Sequence, residues 1–292
     1  LSTDIERVSS AYVPLAVTDR SGHPESVHHG AVVALGSDGK IAFSLGDVDA
    51  AIFPRSSMKP IQALSMVRHG LDLPDELLAL VCASHDGRSE HQDGVRRILD
   101  TFGLDERSLA NTTDLPLDEE EARSATRAGK EPSSLQHNCS GKHAGMLATC
   151  VTAGWTTDSS YLSPDHPLQR AITEDVPLAS GGATPAYGVD GCGAPAHLLS
   201  VVELARSFRR IATGEVGSAG QRIQRAMSSH PEMVGGPTRD VTLLMRGVPG
   251  LMAKDGAEGV FAVALPDGRA VALKVADGAN RARPPIMKAA LT

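Results

Sequence analysis

The segments of this sequence that read as β-strands lie at its two ends and not between them. AYVPLAV (11–17), AVVAL (31–35) and IAFSL (41–45) are short apolar runs near the start, and GVFAVAL (259–265) and RAVALKV (269–275) flank the turn PDG near the end. In the middle the apolar positions recur three and four apart: MKPIQALSMVRHG, PDELLALVCAS, EHQDGVRRILDTFG, DEEEARSATRAG, GKHAGMLATCVTAG, HPLQRAITED and PAHLLSVVELARSFRRIATG all read as helices, several closed by glycine. Two or three short strands make too small a sheet to stand alone, so the ends are expected to pair in one antiparallel sheet. The expectation is an α+β chain of one domain spanning 1–292, its sheet part drawn from about 1–55 and 248–292 and a helical part, about 56–247, inserted between. A site in the crevice between sheet and helices follows by default. No internal repeat, coiled coil or low-complexity tract interrupts this plan.

Charge excludes several partners. A formal net charge of −7 and a pI near 5.9 disfavour nucleic acid and anionic membrane surfaces. The chain contains no apolar run near the ~18 residues that span a bilayer. Its first residues, LSTDIERVSS, lack a basic segment followed by an apolar one, so the chain reads as soluble and cytoplasmic, with a small-molecule partner. Cys82, Cys139, Cys150 and Cys192 are too widely spaced for a disulfide framework and read as free thiols or metal ligands. Positive charge is carried by 21 arginines against 7 lysines, which makes each lysine worth inspecting.

One of those lysines stands in PRSSMKPIQAL (54–64), where Lys59 follows Ser56 by three residues. A serine hydroxyl needs a base to become a nucleophile, and a lysine with a depressed pKa supplies one; on a helix, positions three apart share a face. With 26 serines and 7 lysines, about 0.6 such pairs are expected by chance, and the chain has two. Ser37 and Lys40, in GSDGK, form the other; Asp38-Gly39 there signals a hairpin turn between two apolar runs, so that pair belongs to an exposed turn. Ser56 differs by context. Pro60 is tolerated in a first helical turn, and Ser56 or Ser57 can cap it, so the pair sits at a helix start.

Further stretches hold chemistry-bearing residues: CASHDG (82–87), HNCSGKHAG (137–145), DGCGAPAH (190–197) and MAKDGAEG (252–259). Ser84 reads either as a helix-terminal serine before a turn or as a catalytic hydroxyl in need of a partner. Lys254, just before GVFAVAL, is either that partner at a sheet edge, beside a glycine that lets substrate approach, or a surface lysine in a turn. Cys139 opens a helix, whose positive end is expected to lower its pKa. Cys139, Cys192, His137, His143 and Lys142 are candidate metal ligands, but no C-x-x-C or H-x-x-x-H spacing specifies zinc, and buried structural cysteines remain the alternative. Arg55 is the candidate for a substrate carboxylate, because a guanidinium grips carboxylates in bidentate fashion.

Taken in order, PRSSMKPIQAL, CASHDG, HNCSGKHAGML, DGCGAPAH and KDGAEGVF resemble the type II, or Rhizobium-type, L-asparaginase family over nearly the whole chain. The resemblance implies a fold like that of serine β-lactamases, penicillin-binding proteins and glutaminases. It implies Ser56 with Lys59 and Ser84 with Lys254 as two catalytic Ser-Lys pairs, and Cys139, Lys142 and Cys192 as ligands of a zinc ion that positions substrate. Asp190 lies beside those ligands; with Asn138 and Arg55 it completes the candidate substrate-binding set. Lysine binds a metal only when neutral, so zinc would have to depress its pKa. The implied activity is hydrolysis of L-asparagine to L-aspartate and ammonia through an acyl-enzyme on Ser56, by a homodimer. A β-lactamase-like or peptidase-like serine hydrolase, or a catalytically silent metal- or amino-acid-binding protein, would also carry parts of this pattern. NRARPPIMKAALT is short for the closing helix that such a fold carries.

Overall fold

The computed structural model describes Glu6 and residues 8–292; the first five residues of LSTDIERVSS, with Arg7, lie outside the described residues. The two ends meet as their apolar runs require. Strands β1 (Val13–Arg20), β2 (His23–Leu35) and β3 (Ile41–Leu45) come from the start of the chain. The short β4 (Ala51–Ile52), β5 (Tyr187–Val189), β6 (Pro195–His197) and β7 (Leu199–Ser200) follow, and then β8 (Met252–Gly256), β9 (Val260–Ala264) and β10 (Ala270–Val275). The main sheet is antiparallel with order β1-β2-β10-β9-β8, and β3 also pairs with β2. The seam between the two ends is the β2–β10 ladder, in which Val33 faces Ala272 and Val32 faces Leu273. GSDGK is the hairpin turn between β2 and β3, with Gly39 at φ 77°.

Every residue of β9 is buried, so the sheet is covered on both faces at its centre, whereas every residue of β3 is exposed. The helix Val201–Thr213 packs against β2, β9 and β10, and the closing helix Arg283–Leu291 packs against β1, β9 and β10. That closing helix forms despite its short sequence because Pro284 and Pro285 occupy its first turn, where no N–H is needed, and Ile286 and Met287 are buried. The core is a single apolar cluster dominated by Leu, Val, Ile, Ala and Met.

The helical reading of the middle needs two corrections. PAHLLSVVELARSFRRIATG is helical only from Val201; Pro195–Ser200 is extended, because β6 pairs with β5 and β7 pairs with β4, and a Ser200–Glu203 capping box starts the helix. Helices Ser218–Ser229, Pro231–Gly235 and Asp240–Gly247 went unread. The expected capping of the PRSSMKP helix is also absent. Lys59–Arg68 has no side-chain cap; Arg55–Met58 forms a 3₁₀ turn ahead of it, and the Ser57 hydroxyl donates instead to the Lys254 carbonyl at 3.1 Å.

Candidate active site

The Arg55–Met58 turn sets the site. Arg55 has φ 52°, a left-handed conformation that costs a non-glycine residue energy and persists only where its surroundings enforce it. Here the surroundings are close: β8 passes so near that a Cβ on Gly256 would collide with the Pro54 carbonyl. The close approach that Gly256 permits is therefore to the chain's own backbone. One turn on, Lys59 is 1 % exposed, and its ammonium donates to the Ala83 carbonyl and, at 3.2 Å, to the Ser84 hydroxyl. Among the described residues no hydrogen bond joins Lys59 to the Ser56 hydroxyl. The spacing of three placed the two residues on one turn, but the long lysine chain spends its donors on the loop after the helix Asp75–Val81.

Lys254 lies within edge strand β8, fully buried, which rules out the surface-turn reading. It donates to Asp255 Oδ1 at 2.6 Å and to the Asp255 carbonyl at 2.7 Å, and not to Ser84. Burial depresses its pKa to about 8; Asp255 opposes this, and the charges of Lys59 and Arg239 reinforce it. Asp255 is itself shared. Arg239 donates to its Oδ2, Arg283 approaches at 3.4 Å, and these cations with Lys254 outweigh burial and hold its carboxyl well below the usual range. Arg239 also donates to the Ser84 carbonyl, so one guanidinium ties the Ser84 loop to β8.

Ser56 and Ser84 open onto one cavity of about 360 Å³, lined also by Asp86, Asn138, Arg239 and Arg283. Arg55 and Asp190 do not line it; they bind each other, Nε to Oδ1, at 2.8 Å. Arg55, the candidate for a substrate carboxylate, is thus paired with Asp190, and the guanidiniums in the cavity wall are Arg239 and Arg283. Asp86 and Asp255 stood unremarked inside CASHDG and MAKDGAEG, whereas Arg239 and Arg283 belong to no motif and are hidden by the arginine excess.

Beside this cavity the sulfur residues converge. Lys142, buried in the helix Ser140–Ala153, donates to Cys192 Sγ at 3.0 Å, and Cys139 Sγ donates to Asn138 Oδ1 at 3.2 Å. The two thiols act on one another. Cys139 is held well above its ordinary pKa by the neighbouring Cys192 sulfur and by burial, while Cys139 and the ammonium of Lys142 hold Cys192 well below. The helix start thus fails to lower the pKa of Cys139, and the downward shift falls on Cys192. Lys142, despite its burial, is pushed upward by the sulfurs and Asp190. Two sulfurs and an amine make a three-donor set that suits a thiophilic divalent cation, provided Lys142 gives up its proton. No cluster of three or more His, Cys, Asp or Glu able to hold a metal occurs among the described residues, so the fit depends on Lys142 as third donor. His137 and His143 are buried with their pKa values lowered; the ring of His143 bonds the Tyr161 hydroxyl at 2.8 Å.

With the geometry in place, the sequence from 16 to 292 matches the family model of L-asparaginase II. The chain belongs to the L-asparaginase II family. A search of curated protein sequences found no match. Among solved structures, a β-lactamase described as putative from Bacteroides dorei is similar at 13 % identity with TM-score 0.53, over 99 % of this chain and 96 % of that one. Also similar are a β-lactamase from Mycobacterium bovis (17 % identity, 90 % of this chain and 93 % of that one, TM-score 0.49) and a probable glutaminase from Bacillus subtilis (12 %, 90 % and 81 %, TM-score 0.39). The first of these supports the β-lactamase-like α+β fold, with its sheet built from both chain ends. Membership of the asparaginase II family makes the chain an amidohydrolase acting on a small molecule. No helix among the described residues is long and apolar enough to cross a membrane.

Proposed function

We propose that the protein hydrolyses L-asparagine to L-aspartate and ammonia through an acyl-enzyme. The observation that carries this reading, in a chain of this family, is the buried Lys59 amine on the Ser84 hydroxyl with both Ser56 and Ser84 facing one cavity. Ser56 attacks the side-chain amide carbon, and its proton passes to Lys59 once that amine is neutral. Lys254, whose depressed pKa leaves a large share of it neutral near pH 8, is the amine available to take up a proton released at the serine hydroxyls. Backbone N–H groups at the Arg55–Met58 turn stabilise the oxyanion. The C–N bond breaks as the relayed proton reaches the nitrogen, ammonia leaves, and water cleaves the seryl ester to give L-aspartate and free Ser56.

Cys139, Lys142 and Cys192 would hold zinc, which when bound supplies a Lewis-acidic centre for orienting substrate beside the cavity. The same proposal includes a homodimer in the cytoplasm, which light scattering and cell fractionation test directly. The decisive experiment measures ammonia release from L-asparagine, L-glutamine and a chromogenic β-lactam. Ammonia from asparagine supports the proposal. Turnover of the lactam alone would make the protein a β-lactamase-like hydrolase, and asparagine binding without ammonia release would make it a binding protein.

A further inference from the structure

The wall of the cavity holds a buried carboxylate, Asp86, that the scheme above does not use. Asp86 is 1 % exposed, and neither of its side-chain oxygens has a hydrogen-bond partner among the described residues. Its nearest cations are Arg239 and Arg88, each at 3.9 Å, too far for a hydrogen bond. A buried carboxylate left in this state is expensive, and such groups in folded proteins call for a missing partner. The position is enforced by the fold. Gly236 passes so close that any Cβ there would overlap the Asp86 carboxylate, and Gly87, at φ 81°, turns the chain immediately after it.

The surroundings say what kind of partner would complete Asp86. The cavity is divided in charge, with Asp86, Asp118 and Glu119 among its carboxylates and Arg239 and Arg283 as its guanidiniums. A neutral ligand would satisfy neither group, and an anion would be repelled by the acidic part. A small zwitterion matches both. A primary ammonium carries three N–H donors and no acceptor, which suits a carboxylate with both oxygens unused. Asp86 also follows Ser84 by two residues, so whatever it anchors is held beside the serine hydroxyls.

We infer that Asp86 is the subsite for the α-ammonium group of an amino-acid amide, and so restricts the substrate to amides that carry a free α-amine. This rests on the amidohydrolase reading proposed above, whose substrate it specifies. Asp86 acts here as a binding residue and takes no part in bond making.

The test compares L-asparagine with succinamate, the same amide without its α-amine. In the wild-type enzyme the KM for succinamate should exceed that for L-asparagine roughly 10- to 100-fold, the worth of a charge-assisted hydrogen bond. Asp86→Asn should raise the KM for L-asparagine by a similar factor while leaving succinamate within about twofold, so that the preference collapses. Equal KM values for the two amides in the wild type would overturn the subsite, and this arm needs no variant to fold. Equal losses on both amides in Asp86→Asn would also overturn it, by making Asp86 structural. If the wild type releases ammonia from neither amide, the amidohydrolase proposal falls, and calorimetry still judges the subsite. The wild type must then bind L-asparagine at least tenfold more tightly than succinamate, and Asp86→Asn must not.

Discussion

Lys142 and Lys254 are both buried, both end on an acidic neighbour, and are driven in opposite directions. Lys254 falls to about 8, whereas Lys142 rises above the ordinary lysine range. Burial disfavours the charged form of both. The difference lies in how each counter-charge is shared. Lys142 faces Cys192 and Cys139, with Asp190 adding to their pull. Lys254 has Asp255, but Asp255 also serves Arg239 and Arg283, and Lys59 adds a like charge nearby. A buried lysine becomes available as a base when its carboxylate is divided among several cations. The Lys254 side of the site is thereby suited to moving protons, and the Lys142 side to holding a cation or remaining one.

The widest gap between the two sides should appear when the serines are removed. Ser56→Ala is expected to reduce kcat by a factor on the order of 10⁶, as loss of a nucleophile does, with asparagine binding retained. If Ser84→Ala is inactive while Ser56→Ala turns over normally, Ser84 is the nucleophile and the S-x-x-K pair is support; the hydrogen bond from Lys59 to Ser84 makes this the alternative worth excluding.

The next largest effect falls on stability. Asp255→Asn leaves Lys254, Arg239 and Arg283 without their shared anion, and breaking such a buried network costs about 3–5 kcal/mol, to be read from urea unfolding. The sign with pH follows from the depressed carboxyl. Its stabilisation is present above the ordinary carboxylate pKa and is lost as pH falls through the lower folded value, so Asp255→Asn should show a flatter loss of stability in acid than the wild type. Equal acid sensitivity would mean that Asp255 is not the anion that organises these cations.

A smaller effect concerns rate against pH. If neutral Lys254 accepts the relayed proton, kcat/KM should fall about tenfold per pH unit below pH 8 and level off above it. Lys254→Met should be slower and should lack that limb. A limb near 8 that survives in Lys254→Met would assign it to another group.

The smallest effect is expected on the Lys142 side. Stripping metal with a chelator should raise the KM for asparagine more than it lowers kcat, because in the proposed scheme a metal held by Cys139, Lys142 and Cys192 would orient substrate and take no part in bond making. Elemental analysis finding no zinc in protein purified without chelator would remove the metal from the scheme, and a loss confined to kcat would give it a chemical role.

Local pattern carried much of this reading. The helix positions of MKPIQALSMVRHG and GKHAGMLATCVTAG were legible because their periodicity matches the faces they bury. The strand Met252–Gly256 was not, since MAKDG is too short and too mixed to show alternation; pairing with β9 makes it extended. Pro195–Ser200 misled for the converse reason, as an apolar stretch continuous with a helix was claimed by two small ladders.

The sequence by itself determined that the two ends would share an antiparallel sheet, that the middle would be mainly helical, and that Ser56, Lys59, Ser84 and Lys254 were the residues to watch. The sheet and the helices follow from spacing and propensity, which act between near neighbours in the chain, whereas Ser84 and Lys254 were singled out by the family resemblance. Only the tertiary structure decided that Lys59 bonds Ser84, that Arg55 is taken by Asp190, that Lys142 bonds Cys192, and that the Asp86 carboxylate in the cavity wall has no hydrogen-bond partner among the described residues. Each of those outcomes depends on charges and donors brought together from distant segments. Electrostatic interaction depends on distance in space and on shielding from water, and sequence spacing fixes neither.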